Sequence, residues 1–221
     1  MKAVSSATTM VDGGAVYLYS GGPALSGDRD LSKFAPLFTL IGDSTSAQIG
    51  MSLAVGNFNG DDFADIAIGA PLENGILSKG AGSTYLVLGA ASLAGVRTAN
   101  IRNVAFYLPG VLENDNLGTA LAMGDINGDG FADLLIGVPG NDGPTGSSRS
   151  NAGEVVVVFG TSGSLARMMP IYGVGRRDDT APDALGTSLA TGDFNGDGIA
   201  DLLLGAPGAD VSTAARDPLG A

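Results

Sequence analysis

Apolar positions in this chain fall in short runs, rich in β-branched and aromatic residues and cut off by clusters of Gly, Pro, Asn and Asp. The longest is Val155-Val156-Val157-Val158-Phe159, and nowhere does an apolar stripe of period 3.6 last the length of an ordinary helix. Runs of this kind read as strands, so the pattern predicts an all-β protein. Strands are expected near residues 14–19, 36–41, 50–56, 64–69, 83–88, 103–108, 118–124, 132–137, 154–159, 168–172, 186–192 and 200–205.

The runs repeat. Gly56-Asn57-Phe58-Asn59-Gly60-Asp61-Asp62-Phe63-Ala64-Asp65 returns 68 residues later as Gly124-Asp125-Ile126-Asn127-Gly128-Asp129-Gly130-Phe131-Ala132-Asp133. After a further 68 it returns as Gly192-Asp193-Phe194-Asn195-Gly196-Asp197-Gly198-Ile199-Ala200-Asp201. Ile49-Gly50, Leu117-Gly118 and Leu185-Gly186 precede the copies; Gly69-Ala70-Pro71, Gly137-Val138-Pro139 and Gly205-Ala206-Pro207 follow them. Four short antiparallel strands per period is the make-up of a β-propeller blade, whose radial packing protects sheet edges. The expected fold is one β-propeller domain, residues 1–221, of three four-stranded blades: about 48–115, about 116–183, and about 184–221 together with 1–47. In the last, an N-terminal hairpin completes the sheet that a C-terminal hairpin begins, the segments after Gly205 and before Gly14 being together longer than the internal links and so long enough with slack. Three blades fall below the usual four to eight or so. A three-bladed ring, a homodimer closing a six-bladed ring, and a piece of a longer propeller are the arrangements left open.

The loop inside each repeat carries the chemistry. In Asp125-x-Asn127-x-Asp129-Gly130-x-x-Asp133, side-chain oxygens fall on alternate residues and then on the ninth, with the Phe131 carbonyl between. Alternation aims oxygens at a common centre, Gly130 permits the positive φ of the curl, and hard oxygen donors select Ca²⁺ over softer metals. An EF-hand is excluded, because its twelfth-position Glu would be Ile136 and Gly137-Val138-Pro139 cannot open a helix. The third copy offers Asp193, Asn195, Asp197, the Ile199 carbonyl and Asp201. The first offers Asn57, Asn59, Asp61, the Phe63 carbonyl and Asp65, with one charge fewer and Asp62 where the turn Gly should be. Up to three Ca²⁺ ions are expected, the first site weakest. The plainer alternative is a set of metal-free Asx turns.

Composition narrows the function. The 23 acidic and 11 basic residues give a net charge of −12, which repels phosphate backbones and anionic bilayers, so no nucleic acid is expected as a partner. With no His and no Cys there is no Ser-His-Asp or Cys-His nucleophile and no zinc site of the usual ligands. No run approaches the length of a membrane helix, so no membrane insertion is expected, and no secretory leader is legible at the N-terminus. Gly42-Asp43-Ser44 reads as a turn rather than an esterase element, and Arg176-Arg177-Asp178-Asp179 as a solvated loop. Tyr17, Tyr19, Tyr85 and Phe159 read as inter-blade packing, and the polar loop 141–150 as a contact surface.

Taken together, the Leu-Gly phrase, the acidic loop and the Gly-x-Pro phrase resemble FG-GAP repeats, as in the propeller of integrin α subunits. Ile49, Leu117 and Leu185 stand where the family has Phe. The resemblance covers nearly the whole chain and implies calcium in the loops between the first two strands of each blade, on one face of the disc. It also implies adhesion and protein binding, with a protein or glycan ligand. The expectation is therefore a non-enzymatic, calcium-binding interaction or cell-adhesion module, calcium being structural. Loops with two or three carboxylates suit an extracellular, cell-surface or periplasmic setting. A carbohydrate-binding or carbohydrate-acting propeller, and a structural repeat unit of a larger surface protein, are the alternatives.

Overall fold

The computed structural model of the chain describes residues 11–22, 30, 33–75, 78–99, 104–144, 150–163, 166–173 and 182–209. Among them are thirteen strands and no α-helix. Strands β1 (Ala15–Leu18) and β2 (Phe38–Ile41) form the N-terminal hairpin. One four-stranded antiparallel sheet follows in the order β3 (Ser52–Gly56), β4 (Asp65–Ala70), β5 (Ser83–Val87), β7 (Phe106–Pro109). A second has the order β8 (Leu121–Gly124), β9 (Asp133–Val138), β10 (Glu154–Val158), β11 (Met168–Tyr172). The last two strands, β12 (Ser188–Gly192) and β13 (Asp201–Gly205), pair with each other. The fold is all-β and propeller-like, and every strand expected from the sequence is present within a few residues of its expected bounds.

One strand was not foreseen. β6 (Gly95–Thr98) leaves the sheet of its sequence neighbours and pairs in parallel with β2, from Phe38↔Gly95 to Ile41↔Thr98. The N-terminal hairpin thus belongs to a three-stranded sheet β1-β2-β6, and β12-β13 is a separate sheet of two. The expected union of the two hairpins in one sheet is not made within this chain's described residues.

The sheets stack in chain order, and the alternation of side chains along a strand places successive residues in different cores. On β9, Leu134, Ile136 and Val138 pack with Leu86, Leu117 and Leu121 on one side. Leu135, between them, packs on the other side with Val155 and Val157, against which Leu185, Leu189 and Leu204 rest. A strand buried on both faces explains the uninterrupted Leu134-Leu135-Ile136 run. A third core joins Val16, Phe38 and Leu40 of the hairpin to Ile68 and Tyr85. The first strands of the three repeats line up side by side, β8 lying between β3 and β12.

The repeated glycines stitch these layers together. The amides of Gly50, Gly118 and Gly186 donate to the carbonyls of Gly69, Gly137 and Gly205 at 2.9, 3.0 and 3.0 Å. This links the two phrases that flank each loop. Parallel bridges Gly14↔Ile49, Gly82↔Leu117 and Gly153↔Leu185 then tie each third strand to the repeat that follows. At Gly137 a Cβ would lie 2.0 Å from the Gly186 carbonyl oxygen, so the close approach of neighbouring backbones admits only glycine there.

Candidate metal centres

Each candidate loop closes on a Gly↔Asp pair of its hairpin: Gly56↔Asp65, Gly124↔Asp133 and Gly192↔Asp201. The register sets the loop's width and brings the ninth-position Asp back beneath its start. In the second loop Asp125 Oδ1 accepts from the amides of Gly128 and Asp129 at 2.7 and 3.1 Å, and Oδ2 from Gly130 at 2.8 Å. Asn127 Oδ1 accepts from the Asp129 amide at 2.8 Å, and Asp129 Oδ1 from the Phe131 amide at 2.9 Å. Gly128 and Gly130 have φ of 76° and 90°, the left-handed turns that keep the curl closed. The third loop repeats the pattern through Asp193, Asn195 and Asp197 as acceptors, with the amides of Gly196, Asp197, Gly198 and Ile199 as donors.

The first loop differs where the sequence does. Asn57 Oδ1 accepts from the Gly60 amide at 2.8 Å, while its amide nitrogen donates to the Asp61 carbonyl. Asp62, which replaces the turn glycine, does not take a positive φ, so the backbone relaxes instead of forcing Asp into the left-handed region. Asn59 and Asp61 keep their places, Asn59 Nδ2 donating to Asp61 Oδ2 at 2.8 Å.

The ninth-position carboxylates hold the loops to the sheets. Asp133 is fully buried; its Oδ2 accepts from the Ile126 amide at 3.0 Å and its Oδ1 from Gly160, past the end of β10, at 2.8 Å. Asp65 does the same with Phe58 at 2.7 Å and Gly89 at 2.9 Å. Asp201 has the loop bond, from Phe194 at 2.9 Å, but a long contact from Asn195 Nδ2 at 3.5 Å in place of a third-strand amide. Burial pushes the Asp133 carboxyl above the usual range; the amides of Gly160 and Ile126 oppose this, and the charges of Asp129 and Asp125 add to it. Asp193 is held below its usual value, foremost by the Gly198 amide.

The loops also touch one another. The Ala132 amide donates to the Asn57 carbonyl at 2.8 Å, and the Ala200 amide to the Asp125 carbonyl at 2.9 Å. The Phe131 ring lies over Gly60, where a Cβ would come within 2.4 Å of it, and Ile199 stands over Gly128. Phe131, read in the sequence only as a carbonyl donor, is thus also a packing residue.

All the oxygens expected from the sequence therefore lie in three like-built loops at one end of the hairpins. Their chemistry fits a hard cation: a carboxylate offers about four lone-pair sites, and Asp129 and Asp133 each use two. Among the described residues no group of three Asp, Glu, His or Cys side chains is arranged to hold a metal, so an ion here would draw on Asn and main-chain oxygens as well.

Two polar features were not legible beforehand. Glu73 is buried, and the Tyr85 hydroxyl lies 2.7 Å from its Oε1 and 2.6 Å from its Oε2. Tyr85 packs in the core as expected, whereas Tyr17 is exposed. A cleft of about 510 Å³ opens between the two four-stranded sheets, with Leu108, Val156, Met168 and Tyr172 in its wall and Asp115 and Glu154 beside them. Burial raises both carboxyls. Residues 145–149 of the polar loop 141–150 and the Arg176–Asp179 run fall outside the described residues.

The FG-GAP repeat model matches residues 49–87, 117–158 and 185–221, more than half of the chain. Integrin alpha-2 of Bos taurus is 33% identical over 174 residues, covering 76% of this chain and 14% of the integrin. Integrin alpha-PS2 of Drosophila melanogaster is 31% identical over 161 residues, covering 72% of the chain and 10% of the relative. Phosphatidylinositol-glycan-specific phospholipase D of Dictyostelium discoideum is 30% identical over 135 residues, covering 61% and 14%. The chain thus spans a small part of the length of these relatives. With three matched repeats, their loops and their glycine links in place, this chain belongs to the FG-GAP repeat family.

Proposed function

We propose that the chain is a calcium-binding, adhesion-type interaction module that presents a protein or glycan ligand surface outside the cell or in the periplasm. The observation that carries this reading is the loop itself, built three times on the same end of successive hairpins, with the same oxygen donors in the second and third copies and Asn57 for the leading Asp in the first. Asp125, Asn127, Asp129, Asp133 and the Phe131 carbonyl would hold one ion; Asp193, Asn195, Asp197, Asp201 and the Ile199 carbonyl a second. The first loop, with Asn57 for Asp and Asp62 outside the left-handed region, would hold a third most weakly. When bound, Ca²⁺ supplies positive charge against which the loop carboxylates no longer repel one another. The chain's own part is to pin the loops: Asp65 and Asp133 anchor them to third-strand amides, and the Ala132 and Ala200 amides link them in a row. The integrin relatives support the adhesion-type reading and the setting.

A ligand that binds only the folded state adds RT ln(1 + [L]/Kd) to stability, about 2.7 kcal/mol per site at a hundred times Kd. Melting the chain in excess calcium should raise Tm by several degrees over the same sample in chelator, and magnesium should not substitute. An identical midpoint in the two conditions rejects calcium and leaves the Asx-turn reading.

A further inference from the structure

The acidic loops are joined by atoms of the loops themselves. The Ala132 amide donates to the Asn57 carbonyl at 2.8 Å and the Ala200 amide to the Asp125 carbonyl at 2.9 Å. The leading residue of one loop is thus held by the residue just before the ninth-position Asp of the next. In a planar trans peptide the C=O and the N–H point in opposite directions. With its N–H aimed at the first loop, the Phe131-Ala132 peptide turns the Phe131 carbonyl away from that loop, and this carbonyl is the main-chain donor of the second set. The Ile199-Ala200 peptide stands in the same way between the second and third loops.

Side chains and a neighbouring turn add to these links. The Phe131 ring covers Gly60, whose amide donates to Asn57 Oδ1, and Ile199 covers Gly128, whose amide donates to Asp125 Oδ1. Past the end of β10, successive amides serve two loops: Gly160 donates to Asp133 Oδ1 at 2.8 Å, and Thr161 to the Phe58 carbonyl at 2.9 Å. Phe58 in turn donates its amide to Asp65 Oδ2 at 2.7 Å. A loop that settles into its closed form therefore fixes part of the next, and less conformational freedom is left for that neighbour to lose on binding.

Charge runs the other way. Each complete donor set carries three carboxylates, and a divalent cation among them leaves a net charge of −1 and a weaker pull on the next cation. The second and third loops are largely exposed, and salt screens such an effect over about 8–10 Å, whereas the hydrogen bonds between loops act at contact. Resting on the calcium reading of these loops, we propose that successive loops take up calcium cooperatively, with the Phe131-Ala132 and Ile199-Ala200 peptide units as the couplers.

Coupling of this kind is reciprocal, and its size is the factor by which filling one site changes the affinity of the other. The amides of Gly60, Gly128 and Gly196 each bond to the leading side chain of their own loop, so their signals in a nitrogen–proton correlation spectrum follow the three loops separately. Calcium chloride titrations are compared for the unaltered chain, D193A/D197A and D125A/D129A. Alanine removes the acceptors that close the loop, and the field at the neighbour is matched, because the altered loop and a filled one both carry −1. In D193A/D197A the Gly128 midpoint should move to calcium roughly fivefold higher or more, and in D125A/D129A the Gly196 midpoint should move the same way. A midpoint that stays or falls in either variant overturns the proposal and leaves calcium sites that fill independently or in competition. If none of the three glycines responds to calcium in the unaltered chain, the calcium reading itself fails, and the coupling with it.

Discussion

Glu73 is a carboxylate with almost no water, held by Tyr85 and surrounded by Ser83, Tyr107 and the charge of Asp43. Burial raises its pKa more than the Tyr85 and Ser83 bonds lower it. The folded state therefore holds this proton more tightly than the unfolded state, and stability falls as pH rises through the unfolded value near 4.5 toward the raised folded one. Glu73→Gln keeps an acceptor for the Tyr85 hydroxyl and removes the charge. Urea unfolding across this range should show the variant gaining on the parent as pH increases, with the difference levelling off above the folded pKa; parallel curves would mean that Glu73 does not titrate with folding. Gly137 makes a steric argument instead. An added Cβ meets the Gly186 carbonyl at 2.0 Å with no side chain to give way, so Gly137→Ala should cost roughly 1–3 kcal/mol in the same experiment. The Asp at position 133 was legible as a loop terminus, but not its full burial, because its partner Gly160 lies 27 residues on. Nothing local to Tyr17 distinguished it from Tyr85; exposure depends on which sheet stands opposite.

At the scale of the element, the acidic loops and hairpins were readable because turn residues, strand runs and their spacing are all local. β6 was not, since Gly95–Thr98 has no strong apolar run and its partner β2 lies far back in the chain, in parallel. The three loops differ by little, and the differences are testable. Restoring the leading charge and the turn glycine together, Asn57→Asp with Asp62→Gly, should let the first loop take the hydrogen bonds seen around Asp125. Its calcium affinity should rise roughly tenfold, visible as a third ion retained at limiting calcium by native mass spectrometry. If two ions remain the maximum in that variant, the donor set of the first loop is not what limits it.

The whole molecule is a row of sheets in which each core lies between successive units, so the interior is a series of slabs rather than one nucleus. That layering followed from the period of 68 and the apolar runs. Which edges end up paired did not, because every copy carries the same pairing code and the code alone does not say whose strand answers it.

The junction between units is written in main-chain atoms. Gly69 approaches Gly118, Gly137 approaches Gly186, and the bridges from Gly82 and Gly153 run backbone to backbone. The glycine contacts themselves single out no particular neighbour; what distinguishes one unit from another lies in the side chains of the cores between units and in the Ser52 hydroxyl, which donates to the Gly118 carbonyl. Genetic duplication or excision of a single module would therefore leave the main-chain splice unaltered, and an array of this kind that lengthens or shortens has only the side chains between its units to refit.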